Sequence, residues 1–371
     1  LSQRAVDERF MAAALGYAAH GLGLTRPNPS VAALVVRDGV VLARGRTAEG
    51  GRPHAERRAL EIAGEAARGA TLYVTLEPCA RRSQAGGEGS CTEAIIAAGI
   101  GRVVIGADDP SPFAAGSGAC RLEAAGITVT RDVLAAEARR LNLGHILRFA
   151  AHRPLVSLKL AETADGFAGT RAGGPIMITG PVSFRHTHLA RAEADALMVG
   201  VGTVCGDDPK LNCRLQGLEH RSPMRVVIDP NLRTPPAAYI VRTARALPTR
   251  IFALEGADAD RAAPLIAAGV DIVRLPADAA GRMELPVVLA ALAAAGITRL
   301  MVEGGPHLAN ALAAADLVDD LTLMTGPVAV GEGLAAIGPA LAGWIAGVRQ
   351  AGRVRATRWG DDRVEIFEKE R

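Results

Sequence analysis

Four residues in one stretch can do chemistry together. His54-Ala55-Glu56 is followed by Pro78-Cys79 and then by Cys91. An imidazole and two thiolates give a Zn²⁺ ion three protein ligands and leave its fourth tetrahedral position for water. Glu56, two residues past the histidine, would carry protons between that water and a leaving amine rather than bind the metal. The chemistry expected is hydrolytic loss of an exocyclic amine from a pyrimidine-like ring. The unusual part is the interval between the cysteines, where Ala80–Ser90 replaces a compact C-x-x-C. One histidine at a helix start is usually a surface residue, and one buried cysteine is usually packing. The assignment therefore rests on the conjunction. Cys120, Cys205 and Cys213 lack such company and read as inert.

These residues need elements to hold them. Short β-branched runs alternate with alanine-rich stretches, the pattern of an α/β protein. In the first half we expect strands over 32–36, 40–44, 71–75, 102–106 and 128–130, with Asp38-Gly39 as a tight hairpin turn. Helices are expected over 8–21, 55–68, 92–98 and 119–125. His54 then opens one helix and Cys91 another, where Ser90 and Glu93 form a capping-box pattern. The positive end of a helix dipole favours thiolate there. Ala150–Pro154 follows a helix ending near Phe149 and marks the domain boundary, giving domains over 1–149 and 150–371. The second half repeats the alternation, with strands near 155–160, 196–199, 225–228, 250–253, 272–275, 299–302 and 321–325.

In that half, Glu303-Gly304-Gly305 stands between a strand and a helix over 307–315, and Gly200-Val201-Gly202-Thr203 follows another strand. Such turns let phosphate oxygens approach backbone N–H groups at a helix start. Neither is a G-x-G-x-x-G fingerprint, so a Rossmann dinucleotide site is disfavoured, and a glycine pair after a strand is more often only a turn.

Composition narrows the function classes. The 371 residues suit two domains, and 49% hydrophobic content with 3% aromatics calls for aliphatic cores. A net charge of +3 with scattered arginines implies no polyanionic partner. Five irregularly spaced cysteines are not a disulfide framework. Leu1–Phe10 lacks the apolar core of a signal peptide, and no apolar run reaches the length of a membrane span. Since the first residue is not Met, a few residues are expected upstream. The expectation is a cytoplasmic protein with neither a nucleic-acid nor a membrane partner.

The first half resembles the cytidine-deaminase superfamily and, within it, the deaminase domain of the RibD family of bifunctional riboflavin-biosynthesis enzymes. Pro27-Asn28-Pro29-Ser30-Val31 is similar to that family's P-N-P-x-V, Thr75-Leu76-Glu77-Pro78-Cys79 to its T-L-E-P-C, and Asp109-Pro110-Ser111-Pro112 to its D-P-N-P. A long interval between the zinc cysteines is itself a family trait. The half from about Arg153 resembles the family's reductase domain through Leu158-Lys159-Leu160-Ala161, Ile178-Thr179-Gly180, Gly200–Val204 with Asp207-Asp208-Pro209, and Val302-Glu303-Gly304-Gly305-Pro306.

The resemblance implies a cytidine-deaminase-like three-layer α/β/α domain followed by a dihydrofolate-reductase-like α/β domain. Zn²⁺ and NADPH are the implied cofactors. The implied substrates are phosphorylated pyrimidines: 2,5-diamino-6-ribosylamino-4(3H)-pyrimidinone 5′-phosphate is deaminated, and the ribosyl group of the product is then reduced to ribityl. A homodimer or higher homo-oligomer is also implied. Carried over position by position, Asn28 contacts the base, while Arg191, Leu211, Arg214 and Glu303 contact the reductase substrate. Ala161, Met177, Thr203 and Asp207 contact NADPH, as do Gly305, Pro306, His307, Leu308, Ala309, Asn310 and Ala311. Lys159 would polarise the reacting carbon or assist ring opening. Two arginines suit a ribose phosphate, which invites charge-assisted contacts.

The chain departs from the family pattern at several places. Ala80–Ser90 is longer and lacks the usual histidines, and Thr47 stands where a histidine is common. Pro175 and Pro230 replace serines, and Met177 replaces a tryptophan. Three other readings stay open: a nucleic-acid base deaminase, a chain whose deaminase half only binds or scaffolds, and both activities moved to a related pyrimidine. Near-neutral charge, few aromatics for base stacking and the whole second domain weigh against the first.

Overall fold

A computed structural model describes residues 2–81, 89–170 and 176–369. Pro175 and most of the Ala80–Ser90 loop lie outside them. The chain forms two compact units, Leu1–Pro154 with Ala293–Thr298, and Leu155–Leu292 with Arg299–Arg371.

The first unit runs α1 (Gln3–Ala19), β1 (Ala32–Arg37), β2 (Val40–Arg46), α2 (Ala55–Ala63), β3 (Thr71–Val74), α3 (Cys91–Ala97), β4 (Arg102–Ile105), α4 (Ser117–Ala124), β5 (Thr128–Thr130), α5 (Ala135–Leu141) and α6 (Leu143–Ala150). Its five strands lie in the order β2-β1-β3-β4-β5. β1 is antiparallel to both β2 and β3, whereas β3, β4 and β5 are parallel. Asp38 and Gly39 both take positive φ, 51° and 77°, as a two-residue hairpin turn requires. One apolar face of the sheet packs Val35, Leu72, Val74 and Val103 with Ala55, Ala59 and Leu60 of α2. The opposite face packs Leu34, Tyr73 and Val104 with Phe10, Met11 and Ala14 of α1. Gly45 of β2 is required for the first layer, because a Cβ there would strike Ala55 O and Ala59 N of α2. That close approach fixes the helix whose first residues carry the site.

The second unit contains β6 (Leu155–Glu162), β7 (Phe167–Thr170), α7 (Pro181–Ala192), β8 (Ala196–Gly200), α8 (Val201–Asp207), β9 (Met224–Ile228), α9 (Tyr239–Arg242), β10 (Thr249–Leu254), α10 (Ala259–Ala267), β11 (Asp271–Leu275) and α11 (Leu285–Ala294). It continues with β12 (Arg299–Val302), α12 (Pro306–Ala314), β13 (Asp320–Thr325), β14 (Gly333–Ala335), α13 (Pro339–Gln350), β15 (Val354–Trp359) and β16 (Asp362–Glu368). Nine strands form one sheet in the order β11-β10-β9-β8-β12-β6-β13-β16-β15, and β7 with β14 make a small second sheet. β11 through β13 in that order are parallel, and β16 pairs antiparallel with both β13 and β15. Parallel strands covered by helices read as continuous apolar runs, as Ala196–Val199 does with every residue buried. The β15–β16 hairpin was not expected from sequence, because Arg355, Arg358, Arg363 and Glu365 break its hydrophobic alternation.

Candidate active sites

His54 is the N-cap of α2, and Cys91 is the first residue of α3, whose N-cap is Ser90. Ser90 Oγ accepts the Glu93 N–H and Glu93 Oε2 accepts the Ser90 N–H, closing the capping box that the sequence spacing predicts. Cys79 follows β3 on a segment held by Glu77. Glu77 Oε1 and Oε2 accept the N–H groups of Ala119 and Gly116, so this carboxylate caps α4 from outside. Three separate segments therefore deliver the three side chains. Their ligand atoms lie within 4.8 Å of one another. His54 Nδ1 is 3.3 Å from Cys91 Sγ and 3.9 Å from Cys79 Sγ, and Cys79 Sγ also accepts the Cys91 N–H at 3.3 Å.

The electrostatics suit a cation bound by this group. The hydrogen bond from Cys91 is the main cause that holds the Cys79 thiol far below its ordinary value, with His54 adding to it against the cost of burial. Cys91 is pushed well up by the neighbouring Cys79 and by burial. Burial lowers His54, but its hydrogen bond to Cys79 and the charge of Glu56 raise it overall. Two sulfurs this close cannot both carry charge until a positive ion joins them, which is what a zinc ligand set requires. Glu56, 3% exposed, is pushed above the ordinary carboxylate range chiefly by burial.

A cavity of about 480 Å³ opens onto this group, lined also by Asn28, Thr47, Asp109, Ser111, Phe113, His145 and Phe149. Asn28 Nδ2 donates to Gly51 O at 2.9 Å, which fixes the orientation of its carboxamide. Thr47 Oγ1 accepts the Val31 N–H and is tied to the start of β1.

In the second unit Glu303 follows the carboxyl end of β12, Lys159 lies within the neighbouring strand β6, and Arg191 reaches them from α7. β12 and β6 pair with Val302 opposite Leu158, so Glu303 and Lys159 come one step further on. Arg191 on α7 holds Glu303 with both arms, Nε to Oε1 at 2.6 Å and Nη2 to Oε2 at 2.8 Å, and donates Nη1 to Asn212 O at 2.8 Å. Burial opposes the Glu303 charge, yet Arg191 holds the carboxyl below its ordinary value. Lys159 is lowered by burial, with Glu303 pulling against it. Asp362 of β16 positions α7 by accepting the Gly180 N–H and the Ser183 hydroxyl at the helix start.

Arg191, Leu211 and Arg214 line a second cavity, of about 370 Å³, together with Pro209 and Lys210. Sequence reasoning passed over Lys210, a lone lysine between two assigned residues. It also passed over His188, whose Nδ1 accepts the Arg214 N–H at 2.9 Å. Burial, with Arg191 and Arg214 nearby, pushes His188 down to about 4 and keeps it neutral.

The residues assigned to NADPH occupy four places. Thr203 and Asp207 lie on α8, 305–311 on the start of α12, and Ala161 near the end of β6. Met177 is 79% exposed. Both α8 and α12 begin on a glycine, Gly200 and Gly305, with no side-chain cap, and a Cβ at either would meet nothing within 4 Å. This is backbone that a dinucleotide phosphate can approach closely. Asn310 departs from the rest: its Oδ1 accepts the Ala340 and Leu341 N–H groups and so caps α13.

Comparison with known proteins follows the same division. Residues 4–107 match the cytidine and deoxycytidylate deaminase zinc-binding region, and residues 154–343 match the RibD C-terminal domain. The chain is 39% identical over 331 residues to the riboflavin biosynthesis protein RibD of Aquifex aeolicus, covering 89% of this chain and 90% of that one. It is 37% identical over 337 residues to the Escherichia coli protein of the same name, covering 88% and 89%. Among solved structures, form 1 of Acinetobacter baumannii RibD superposes with a TM-score of 0.84 at 28% identity, covering 99% of this chain and all of that one. The Thermotoga maritima diaminohydroxyphosphoribosylaminopyrimidine deaminase and 5-amino-6-(5-phosphoribosylamino)uracil reductase gives 0.82 at 30% identity, with 99% of each chain covered. With a zinc-type ligand set in one unit and a buried Arg–Glu site in the other, the chain belongs to the RibD family of riboflavin biosynthesis proteins.

Proposed function

We propose that His54, Cys79 and Cys91 hold the zinc of the deaminase unit, and that Glu56 is its proton carrier. The protein is a bifunctional enzyme of riboflavin biosynthesis, a zinc-dependent deaminase joined to an NADPH-dependent reductase. Bound zinc supplies Lewis acidity that makes water a nucleophile near neutral pH. Glu56 takes a proton from that water and returns it to the departing amine, so that water and aminopyrimidine become a carbonyl product and ammonia. Its place beside Cys91, with a carboxyl raised by burial, suits a group that must both take and give a proton. Asn28 holds the ring edge.

In the reductase unit NADPH supplies the hydride. Arg214 and Lys210 receive the ribose phosphate, while Arg191 and Glu303 form a fixed platform beside Lys159. Lys159 donates a proton to the sugar oxygen as the ring opens. Thr203, Asp207 and the start of α12 bind the dinucleotide. We further propose a cytoplasmic homodimer or higher homo-oligomer. All five cysteines are free, as in a reducing compartment. Among the described residues no helix is long and apolar enough to cross a membrane.

The observation that carries the reading is the meeting of three ligand atoms within 4.8 Å beside a buried glutamate. Incubation with zinc, NADPH and the diaminopyrimidine phosphate, following ammonia and NADPH separately, tests both halves. Glu56→Ala should lower ammonia release by about 10²–10⁴-fold while keeping zinc, and should still oxidise NADPH when the deaminated aminouracil phosphate is supplied directly. Wild-type ammonia release from that variant would remove Glu56 from the mechanism.

A further inference from the structure

Three consecutive residues beside the second cavity are tied to one helix. Arg191 Nη1 donates to Asn212 O at 2.8 Å, Cys213 Sγ donates to His188 O at 3.4 Å, and the Arg214 N–H donates to His188 Nδ1 at 2.9 Å. Accepting that N–H places the lone pair of His188 on Nδ1 and its proton on Nε2. The residue is 1% exposed, and burial with the charges of Arg191 and Arg214 pushes it down to about 4, so the ring is neutral near pH 7. Leu211, just before the three ties, has a φ of 49°, in the left-handed region that disfavours a bulky side chain. Such a conformation persists where its surroundings hold it.

Phe184, His188 and Arg191 fall at i, i+4 and i+7 of α7 and share one face. The Phe184 and His188 ring centroids are 4.2 Å apart, and Arg214 Cζ lies 5.3 Å from the Phe184 centroid, within cation–π range. Arg214 Nη1 also donates to the neutral Asn212 Oδ1 at 3.2 Å. An imidazole pins the Arg214 backbone, and a ring and a carboxamide steady its side chain. None of these groups neutralises its charge. Burial and the nearby Arg191 hold Arg214 below its ordinary value, a penalty that a bound anion relieves.

We infer that His188 and Phe184 are positioning residues of the reductase: they fix Arg214 at this cavity for the substrate phosphate and so set the preference for phosphorylated over phosphate-free substrate. This rests on the reading of Arg214 as a phosphate contact. A long side chain held in place beforehand gives up less freedom when the phosphate arrives. A carboxylate in place of the imidazole would pair with Arg214 and compete with the phosphate.

Reductase kinetics with the phosphorylated substrate and with its phosphate-free form test it. His188→Gln, which moves the acceptor away from the Nδ1 position, should raise KM for the phosphorylated substrate by about 5-fold, with kcat and ammonia release unchanged. The phosphate-free form should show no such change. His188→Asn, whose Oδ1 falls near Nδ1, should recover most of the affinity. Phe184→Leu should raise the same KM by about 2- to 5-fold, and it serves if the glutamine variant does not fold. His188→Gln combined with Arg214→Ala should do no more harm than Arg214→Ala alone. A wild-type KM in His188→Gln or in Phe184→Leu would remove that residue from the assignment. Equal losses with phosphate-free substrate, or additive losses in the double variant, would overturn it for both. An unchanged KM in Arg214→Ala would instead overturn the phosphate contact on which it rests.

Discussion

The two units face opposite electrostatic problems. In the deaminase unit, two sulfurs and an imidazole are pressed together so that Cys79 is driven towards thiolate and Cys91 away from it. That group suits a bound cation, which would let both sulfurs carry charge. In the reductase unit, Arg191 and Glu303 neutralise each other through two hydrogen bonds, and the surplus positive charge is left to Arg214 and Lys210 at the cavity. On the proposed reading, one site is completed by a cofactor and the other by folding. Mutation should therefore damage the first through metal content and the second through stability or substrate affinity.

Cys91→Ser gives the largest effect on this contrast. It should abolish zinc binding and ammonia release together, leaving NADPH oxidation in place when the deaminated aminouracil phosphate is supplied directly. Stoichiometric zinc in the purified variant, read by elemental analysis, would break the comparison. Glu303→Gln comes next. It strands the buried Arg191 charge and should cost the reductase unit about 3–5 kcal/mol in denaturant unfolding without changing zinc content.

The same pair has a pH signature. The folded Glu303 carboxyl lies below its ordinary value of 4.5, so its stabilising contribution is complete above that pH and is lost as pH falls through the lower folded value. Glu303→Gln should lack this acid limb, and an unchanged acid limb would assign it to other carboxylates. The smallest effect is expected from Arg214→Ala, which should raise KM for the phosphorylated reductase substrate by about 10-fold, with ammonia release unaltered. An unchanged KM would leave Lys210 as the main phosphate contact.

The proposed zinc ligands stood out in the sequence because a histidine and a cysteine open helices and a second cysteine follows a strand, with a capping box at Ser90. His54, Cys79, Ser90 and Cys91 need little tertiary information to be recognised. Most strands in both units were legible for a similar reason: buried parallel strands are unbroken apolar runs. The β15–β16 hairpin was not, because it closes the sheet edge with arginines and glutamates that look like loop. His145 was hidden differently. It is one histidine in a helix of mostly apolar residues with a single arginine, and only the fold brings it to Asp109. Asn310 shows the reverse limit: its family position suggested the cofactor, whereas its side-chain oxygen serves the next helix.

The three ligands sit on three segments, at the cap of α2, after β3 and at the start of α3. In polymer terms, an ion joining them pins His54 to Cys91 and closes everything between into a loop. Chain closure of this kind restricts the unfolded ensemble much as a disulfide does. Unlike a disulfide, this tie forms without an oxidant and opens when a competing chelator takes the ion. An ion held by the proposed ligands would be a reversible cross-link as well as a reagent, and the stability of the deaminase unit should then rise with the free zinc concentration around it.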